Sequence, residues 1–275
     1  AIRFLDVVLT WVWNKIYNGV NIYNIERLQD ANKDNEIIYV PCHRSHIDYL
    51  LLSYVLYHNG LQVPHIAAGI NLNMPIAGPI LRRGGAFFMR RTFKGNKLYA
   101  AVFDEYLHSV FKNGYSTEYF VEGGRSRTGR TLNPKAGMLA MTLRSYLRDS
   151  TKPIIFMPVY VGYEKVFESN SYQGELKGKK KKKEGLGGIF ASVRNMKRSF
   201  GKVRVTFGNP INFDHLLDAE QPNWREERSQ NNFKPDWTPK VVNKLALEVA
   251  TQINNAASVN PINLVATGLL ATPYL

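Results

Sequence analysis

Apolar positions along the chain follow two alternating rhythms. Short runs rich in β-branched and aromatic residues are separated by longer stretches whose apolar residues recur every three or four positions. The first run, Glu36-Ile-Ile-Tyr-Val-Pro41, reads as a strand. Ile47, Leu50, Leu51, Tyr54 and Val55 follow at helical spacing, which predicts a helix over 45–58 with Ser45 as N-cap and Asn59-Gly60 as its stop. Further strands are expected over 62–67, 86–89, 117–121, 153–163 and 203–207, and further helices over 74–82, 96–113, 136–147 and 238–253. The helix over 96–113 has the clearest apolar stripe, from Leu98 through Val102, Phe103, Tyr106, Leu107 and Val110 to Phe111, and Gly114 ends it. Strands alternating with helices predict an α/β fold: a mostly parallel central sheet with helices on both faces.

The two ends depart from this rhythm. Ala1 to Tyr17 is apolar nearly all round a helix, interrupted by Arg3, Asp6 and Asn14, with Trp11 and Trp13 toward one end. That pattern suits either a buried helix or one lying in a membrane interface with Lys15 among headgroups. Residues 1–35 are therefore expected to form an N-terminal helical segment able to associate with a membrane, and 36–275 an α/β domain. The chain starts without Met and stops within the apolar stretch 262–275, so it reads as a piece of a longer protein. No uninterrupted apolar run reaches the roughly 18 residues of a spanning helix.

Composition narrows the classes. Hydrophobic residues make up 44% and aromatics 12% of the 275 residues, which excludes a disordered chain. A single Cys excludes a disulfide framework and a four-thiolate zinc site. The excess of 36 Lys+Arg over 22 Asp+Glu, a net +14, calls for acidic partners: nucleic acid, anionic lipid or phosphorylated substrates. The run Lys177 to Lys183, among glycines, reads as a loop.

Candidate chemistry gathers at strand ends, where sites form in parallel α/β sheets. His43-Arg-Ser-His-Ile-Asp48 follows the first strand. On one continuous helix His43 and Asp48 would diverge by about 140°. They meet only if His43 precedes the helix and Asp48 lies in its first turn; Asp48 then accepts from one imidazole nitrogen and leaves the other as a base. As plain cap and turn residues they would do neither. A metal site of His43, His46 and Asp48 lacks an obvious fourth ligand, and Cys42 reads as a small buried residue rather than a thiol nucleophile. Glu122-Gly-Gly-Arg-Ser-Arg-Thr-Gly-Arg130 offers glycines for close approach and guanidinium forks for phosphate. It nearly matches a phosphate loop, but Arg130 stands where that loop needs Lys, and Ser126 lacks a nucleophile-elbow context. Strand alternation would put Arg90 and Arg91 on opposite sides, one of them facing the sheet end.

Four blocks occur in order: Cys42-His-Arg-Ser-His-Ile-Asp48, Gly85-Ala-Phe-Phe-Met-Arg-Arg91, Phe120-Val-Glu-Gly-Gly-Arg-Ser-Arg-Thr-Gly129 and Met157-Pro-Val-Tyr-Val-Gly-Tyr-Glu164. Together they resemble the glycerolipid acyltransferases, most closely the bacterial membrane-bound glycerol-3-phosphate 1-O-acyltransferases of the PlsB type. The resemblance spans about 37–208 and has no counterpart for the lysine run. It implies acyl transfer from acyl-CoA or acyl-acyl-carrier protein, as co-substrate, to the sn-1 hydroxyl of glycerol 3-phosphate, with no cofactor, no metal and no acyl-enzyme. His43 would be the base and Asp48 its orienting partner. Arg91, Glu122, Gly123, Arg125 and Arg127, with Arg90 beside them, would hold or frame the glycerol phosphate, and Pro158 would shape the site. The implied setting is the cytoplasmic face of the bacterial inner membrane, peripheral or monotopic, with acyl carrier protein and an anionic membrane surface as partners and no nucleic acid. Two alternatives stand beside it: dihydroxyacetone phosphate as acceptor, and a basic module that binds membrane or nucleic acid without catalysis.

Overall fold

All six residues from Glu36 to Pro41 are buried, a burial that requires cover on both faces of the sheet. The computed structural model, which describes residues 2–75, 77–90, 92–93, 95–149, 152–178, 200–228 and 235–272, provides that cover. In chain order its elements are α1 (Ile2–Ile16), β1 (Val20–Tyr23), α2 (Glu26–Ala31), β2 (Glu36–Pro41), α3 (Asp48–His58), β3 (His65–Gly69), α4 (Ala77–Arg83), β4 (Ala86–Met89) and α5 (Lys97–Lys112). There follow β5 (Thr117–Glu118), α6 (Gly137–Asp149), β6 (Ile154–Tyr163), α7 (Ser169–Leu176), β7 (Val203–Phe207), β8 (Ile211–Asn212), α8 (Phe213–Glu220), α9 (Trp224–Arg228), α10 (Thr238–Asn255) and α11 (Pro261–Ala271).

One sheet runs in the order β1-β7-β6-β2-β5-β3-β4, with β8 also pairing β6. Pairs β2–β5, β2–β6, β3–β4, β3–β5 and β1–β7 are parallel, whereas β6 meets β7 and β8 antiparallel. The fold is thus α/β with a mostly parallel sheet. Alternation along β4 shows the two covered faces. Ala86 lines a cavity toward α1 and α3, while the next residue, Phe87, packs its ring on Phe103 and Tyr106 of α5. Pro158 falls where β6 changes partner from β8, at Ile155 and Phe156, to β7, from Val159 on. Its missing N–H therefore breaks no ladder on that side.

The elements the sequence did not reveal are short or polar. β1 has only four residues, yet it pairs β7 from Val20↔Val203 to Tyr23↔Thr206 and so joins residues 2–35 to the sheet. α1 is partly sunk in the core through Leu9, Val12, Trp13 and Ile16, and it exposes Val7 and Trp11. Between β8 and α10 lie the two short helices α8 and α9. No helix among the described residues is long and apolar enough to cross a membrane. Of the lysine run, residues 179–183 lie outside the described residues, as does Arg91.

Two carboxyls are buried within the sheet. Burial drives Glu118 well above the usual carboxylate range and pushes Glu36 up to about 8, with Lys152 opposing the second shift. A carboxyl raised in the folded state stabilises fully below its unfolded pKa of about 4.3 and loses that contribution as pH rises through the folded value. Stability should therefore fall between about pH 4 and pH 8, by at most roughly 1.4 kcal/mol per unit from this group. Glu36→Gln should remove that slope, so melting curves of the variant and the parent diverge from pH 5 to pH 8. Parallel curves would contradict the assignment.

Candidate active site

The end of β2 delivers Cys42 and His43 above the sheet, and α3 begins at Asp48. Ser45 is not the N-cap; Ile47 occupies that position without a side-chain cap bond. The turn is instead closed by Asp48, whose Oδ2 accepts the backbone N–H groups of Arg44 at 2.6 Å and Ser45 at 2.8 Å. The same oxygen lies 3.0 Å from His43 Nδ1. Oδ1 accepts the Tyr163 hydroxyl at 2.5 Å, from the end of β6. Burial raises Tyr163 well above the ordinary phenol range, and the nearby Asp48 charge adds to the shift, so this hydroxyl keeps its proton to donate. With Asp48 as acceptor, Nδ1 carries the proton and Nε2 is left with its lone pair, 3.3 Å from the Tyr49 hydroxyl. The ring rests on Phe120, centroid to centroid 4.1 Å.

Buried carboxylates hold the loops around this dyad. Glu122 accepts the His43 N–H at 2.8 Å through Oε1 and the Leu132 N–H at 2.7 Å through Oε2, and it pairs with Arg44 at 3.6 Å. Both its oxygens serve the protein, so Glu122 frames the site. Gly123 takes φ +62°, the left-handed turn that brings the loop back over Lys135. Glu168 accepts the Ser45 hydroxyl at 2.7 Å and the His46 N–H at 2.9 Å, and it pairs with Arg125 at 3.5 Å. Arg125 is buried and also donates to the Tyr172 hydroxyl at 2.7 Å, which itself donates to the Arg44 carbonyl at 3.0 Å. Arg127 is half-buried, pairs with Glu175 and lies over the Tyr172 ring. Desolvation raises Glu168 above the usual carboxylate range.

Among the sequence candidates, His43, Asp48, Glu122, Gly123, Arg125 and Arg127 converge at the carboxyl ends of β2, β5 and β6. Pro158 sits lower, paired with Val40 inside the sheet. Arg90 lies at the end of edge strand β4, exposed, with its guanidinium 4.7 Å from the Tyr99 ring centroid. β4 ends at Met89, so strand alternation does not extend to Arg90. Cys42 is fully buried, accepts the Val161 N–H at 3.2 Å and has its thiol pushed up to about 12 by burial, opposite to what a nucleophile needs. Among the described residues no three His, Cys, Asp or Glu side chains are placed to hold a metal ion. Tyr163, Glu168 and Tyr172 were missed. Tyr163 lies in the fourth block, where its place at the end of a buried strand was a usable signal; Glu168 stands 123 positions from Ser45, with no local pattern to mark it.

A narrow apolar cavity opens beside the dyad. His46, Tyr49 and Leu50 line it at the dyad end, and Leu5, Ala68 and Gly84 line it elsewhere.

Against known proteins, the model of the acyltransferase family matches residues 19–162, just over half of the chain. The chain belongs to the acyltransferase family. Residues 172–274 match a second model, the glycerol-3-phosphate acyltransferase C-terminal region. Curated relatives named glycerol-3-phosphate acyltransferase include those of Pseudomonas aeruginosa (strain LESB58), 62% identical over 99% of this chain, and Pseudomonas fluorescens (strain SBW25), 62% identical over all of it. The chain spans about a third, 33%, of the length of each. Among solved structures, the 1-acyl-sn-glycerophosphate acyltransferase PlsC of Thermotoga maritima aligns over 94% of this chain and 79% of its own, with 18% identity and a TM-score of 0.46.

Tyr163→Phe should keep the fold but loosen Asp48. A lost hydrogen bond to a carboxylate is worth about 1.5–3 kcal/mol, so the unfolding free energy should drop by roughly that amount. Asp48→Asn should cost at least as much, because one of its two positions then presents an amide donor to a donor. Urea unfolding measures both, and wild-type stability in Tyr163→Phe would remove that hydrogen bond from the site.

Proposed function

We propose that this acyltransferase moves a fatty acyl group from acyl-CoA or acyl-acyl-carrier protein to the sn-1 hydroxyl of glycerol 3-phosphate. The observation that carries the proposal is the His43–Asp48 dyad, with Nε2 free of the carboxylate, set among the arginines of the loop after β5. The match of residues 172–274 and the names of the relatives support the choice of acceptor.

In the proposed reaction Nε2 of His43 takes the hydroxyl proton as the alcohol oxygen attacks the thioester carbonyl. His43 keeps the Nδ1 proton, donating it in a hydrogen bond to Asp48, whose charge stabilises the imidazolium. The tetrahedral intermediate then expels the thiolate, which recovers the proton from His43. No acyl-enzyme and no metal take part. Arg125 and Arg127 serve the acceptor phosphate, and Arg90 and Arg91 are assigned to it by the family resemblance of the second block alone. Their present partners, Glu168 and Glu175, are carboxylates that a phosphate dianion would displace or share. The apolar cavity beside Tyr49 takes the acyl chain. Its lining includes α1, whose exposed Val7 and Trp11 suit an interfacial position, and the net charge of +14 favours an anionic surface. The enzyme would accordingly work as a peripheral or monotopic protein on the cytoplasmic face of the bacterial inner membrane.

The decisive test is His43→Ala in the full-length protein. Thiol release from palmitoyl-CoA with glycerol 3-phosphate should fall at least 10²-fold with folding intact; an unchanged rate would sink the mechanism. Replacing the acceptor by dihydroxyacetone phosphate should slow the wild-type enzyme, and faster use of it would overturn the acceptor assignment. A Cβ at Gly84 would sit 2.8 Å from Leu5 Cδ1 at the cavity wall. Gly84→Val should therefore lower kcat/KM for palmitoyl-CoA about tenfold relative to octanoyl-CoA, about 1.4 kcal/mol, comparable to losing one or two methylenes of fit. Equal effects on both donors would place the acyl chain elsewhere.

A further inference from the structure

A second concave site lies at the other edge of the sheet, where β1 and β7 meet the C-terminal end of α10. It is a cavity of about 430 Å³, within the range of small-ligand sites. Arg27 of α2 and Arg204 of β7 line it, and the described lining contains no Asp or Glu. Its charge is therefore two uncompensated guanidiniums in a recess walled by neutral donors. Several of those donors are idle. Arg204 Nε, Thr206 Oγ1 and Ser258 Oγ are all buried from solvent and make no hydrogen bond, and Thr206 is only 7% exposed. Buried polar atoms in native proteins are nearly always partnered, so three idle ones in a single recess indicate a missing acceptor. The remaining groups hold the recess open. Arg27 Nη1 and Asn24 Nδ2 donate to the Phe207 carbonyl at 3.3 and 3.4 Å, and Arg204 Nη1 donates to the Val259 carbonyl at 2.7 Å. Asn24, at the start of this wall, has φ +59°, the only positive φ of a non-glycine among the described residues.

We propose that this recess binds a phosphate group, held between Arg27 and Arg204 with Thr206 and Ser258 donating to its oxygens. A phosphate dianion supplies several acceptor oxygens and the charge that two forked guanidiniums match; a neutral ligand would leave both arginines uncompensated. The dyad-side arginines, Arg125 and Arg127, already have carboxylate partners, which sets the two sites apart chemically. Two sources carry such a phosphate: a soluble phosphate ester, or the headgroup of an anionic lipid. The second is suggested by α11, which starts three residues after Ser258 and exposes Ile262, Leu264, Val265, Leu269 and Leu270.

Crystals of the full-length protein soaked in tungstate, a phosphate analogue with a strong anomalous signal, should show a peak between Arg27 and Arg204. In solution, inorganic phosphate at matched ionic strength should bind, and Arg204→Gln and Thr206→Val should each weaken that binding, the first by about tenfold or more. Thr206→Val is isosteric and removes one idle hydroxyl, so it keeps the test valid if Arg204→Gln unfolds. Flotation with phosphatidylcholine vesicles, with and without phosphatidate, separates the sources. Loss of phosphatidate-dependent capture in Thr206→Val assigns a lipid headgroup, and unaltered capture with weakened phosphate binding assigns a soluble ester. No tungstate peak at the recess, an acidic side chain of the remaining chain found in it, or unchanged phosphate affinity in both variants would overturn the proposal.

Discussion

The site depends on one carboxylate. Asp48 gathers the N–H groups of Arg44 and Ser45, the Nδ1 of His43 and the hydroxyl of Tyr163 on two oxygens. It thereby shapes the turn between β2 and α3, orients the imidazole and ties the end of β6 to the end of β2. Removing it would leave two backbone donors and a phenol unpaired in a buried setting, as well as a histidine without a fixed tautomer. Its side chain is fully buried, so this arrangement holds only because donors replace water on both oxygens.

The same device recurs outward. Glu122 and Glu168 are buried carboxylates whose oxygens accept backbone N–H groups from the His43 segment, and each also meets an arginine. Loop carbonyls and amides that would otherwise go unpaired above the sheet are satisfied by side chains from segments distant in the chain. The result is a set of loops held by side-chain acceptors rather than by secondary structure, which fixes the position of the His43 ring. It also explains why Arg125 and Arg127, read from the sequence as open phosphate ligands, are found paired with acids of the α7 region.

Particular residues show what could be read in advance. The periodicity of Leu98 to Phe111 marked α5, and the β-branched runs marked β2, β4, β6 and β7 to within a residue or two, because burial on a helix face or in a sheet imposes a local period. The four-residue β1 left no such signal; its partner β7 begins 180 positions later, and the pairing exists only in three dimensions. His43 and Asp48 were legible as a pair because five residues span a single turn. Ser45 was misread as a cap because a hydroxyl before a helix is a good cap in general, while here Glu168 takes it.

What the sequence determined by itself was therefore the local: the strand and helix rhythm, the alternation that implies a parallel sheet, and the short segments that bring His43 and Asp48 together beside an arginine-rich loop. The tertiary structure alone decided the partners. Tyr163 on Asp48, Glu122 on the His43 N–H, Glu168 on Ser45, and the recess between Arg27 and Arg204 all join residues distant in the chain. Hydrogen bonds of this kind have no period and no fixed spacing. They depend on which strand ends the sheet order brings side by side, and that order is set by burial of the whole core.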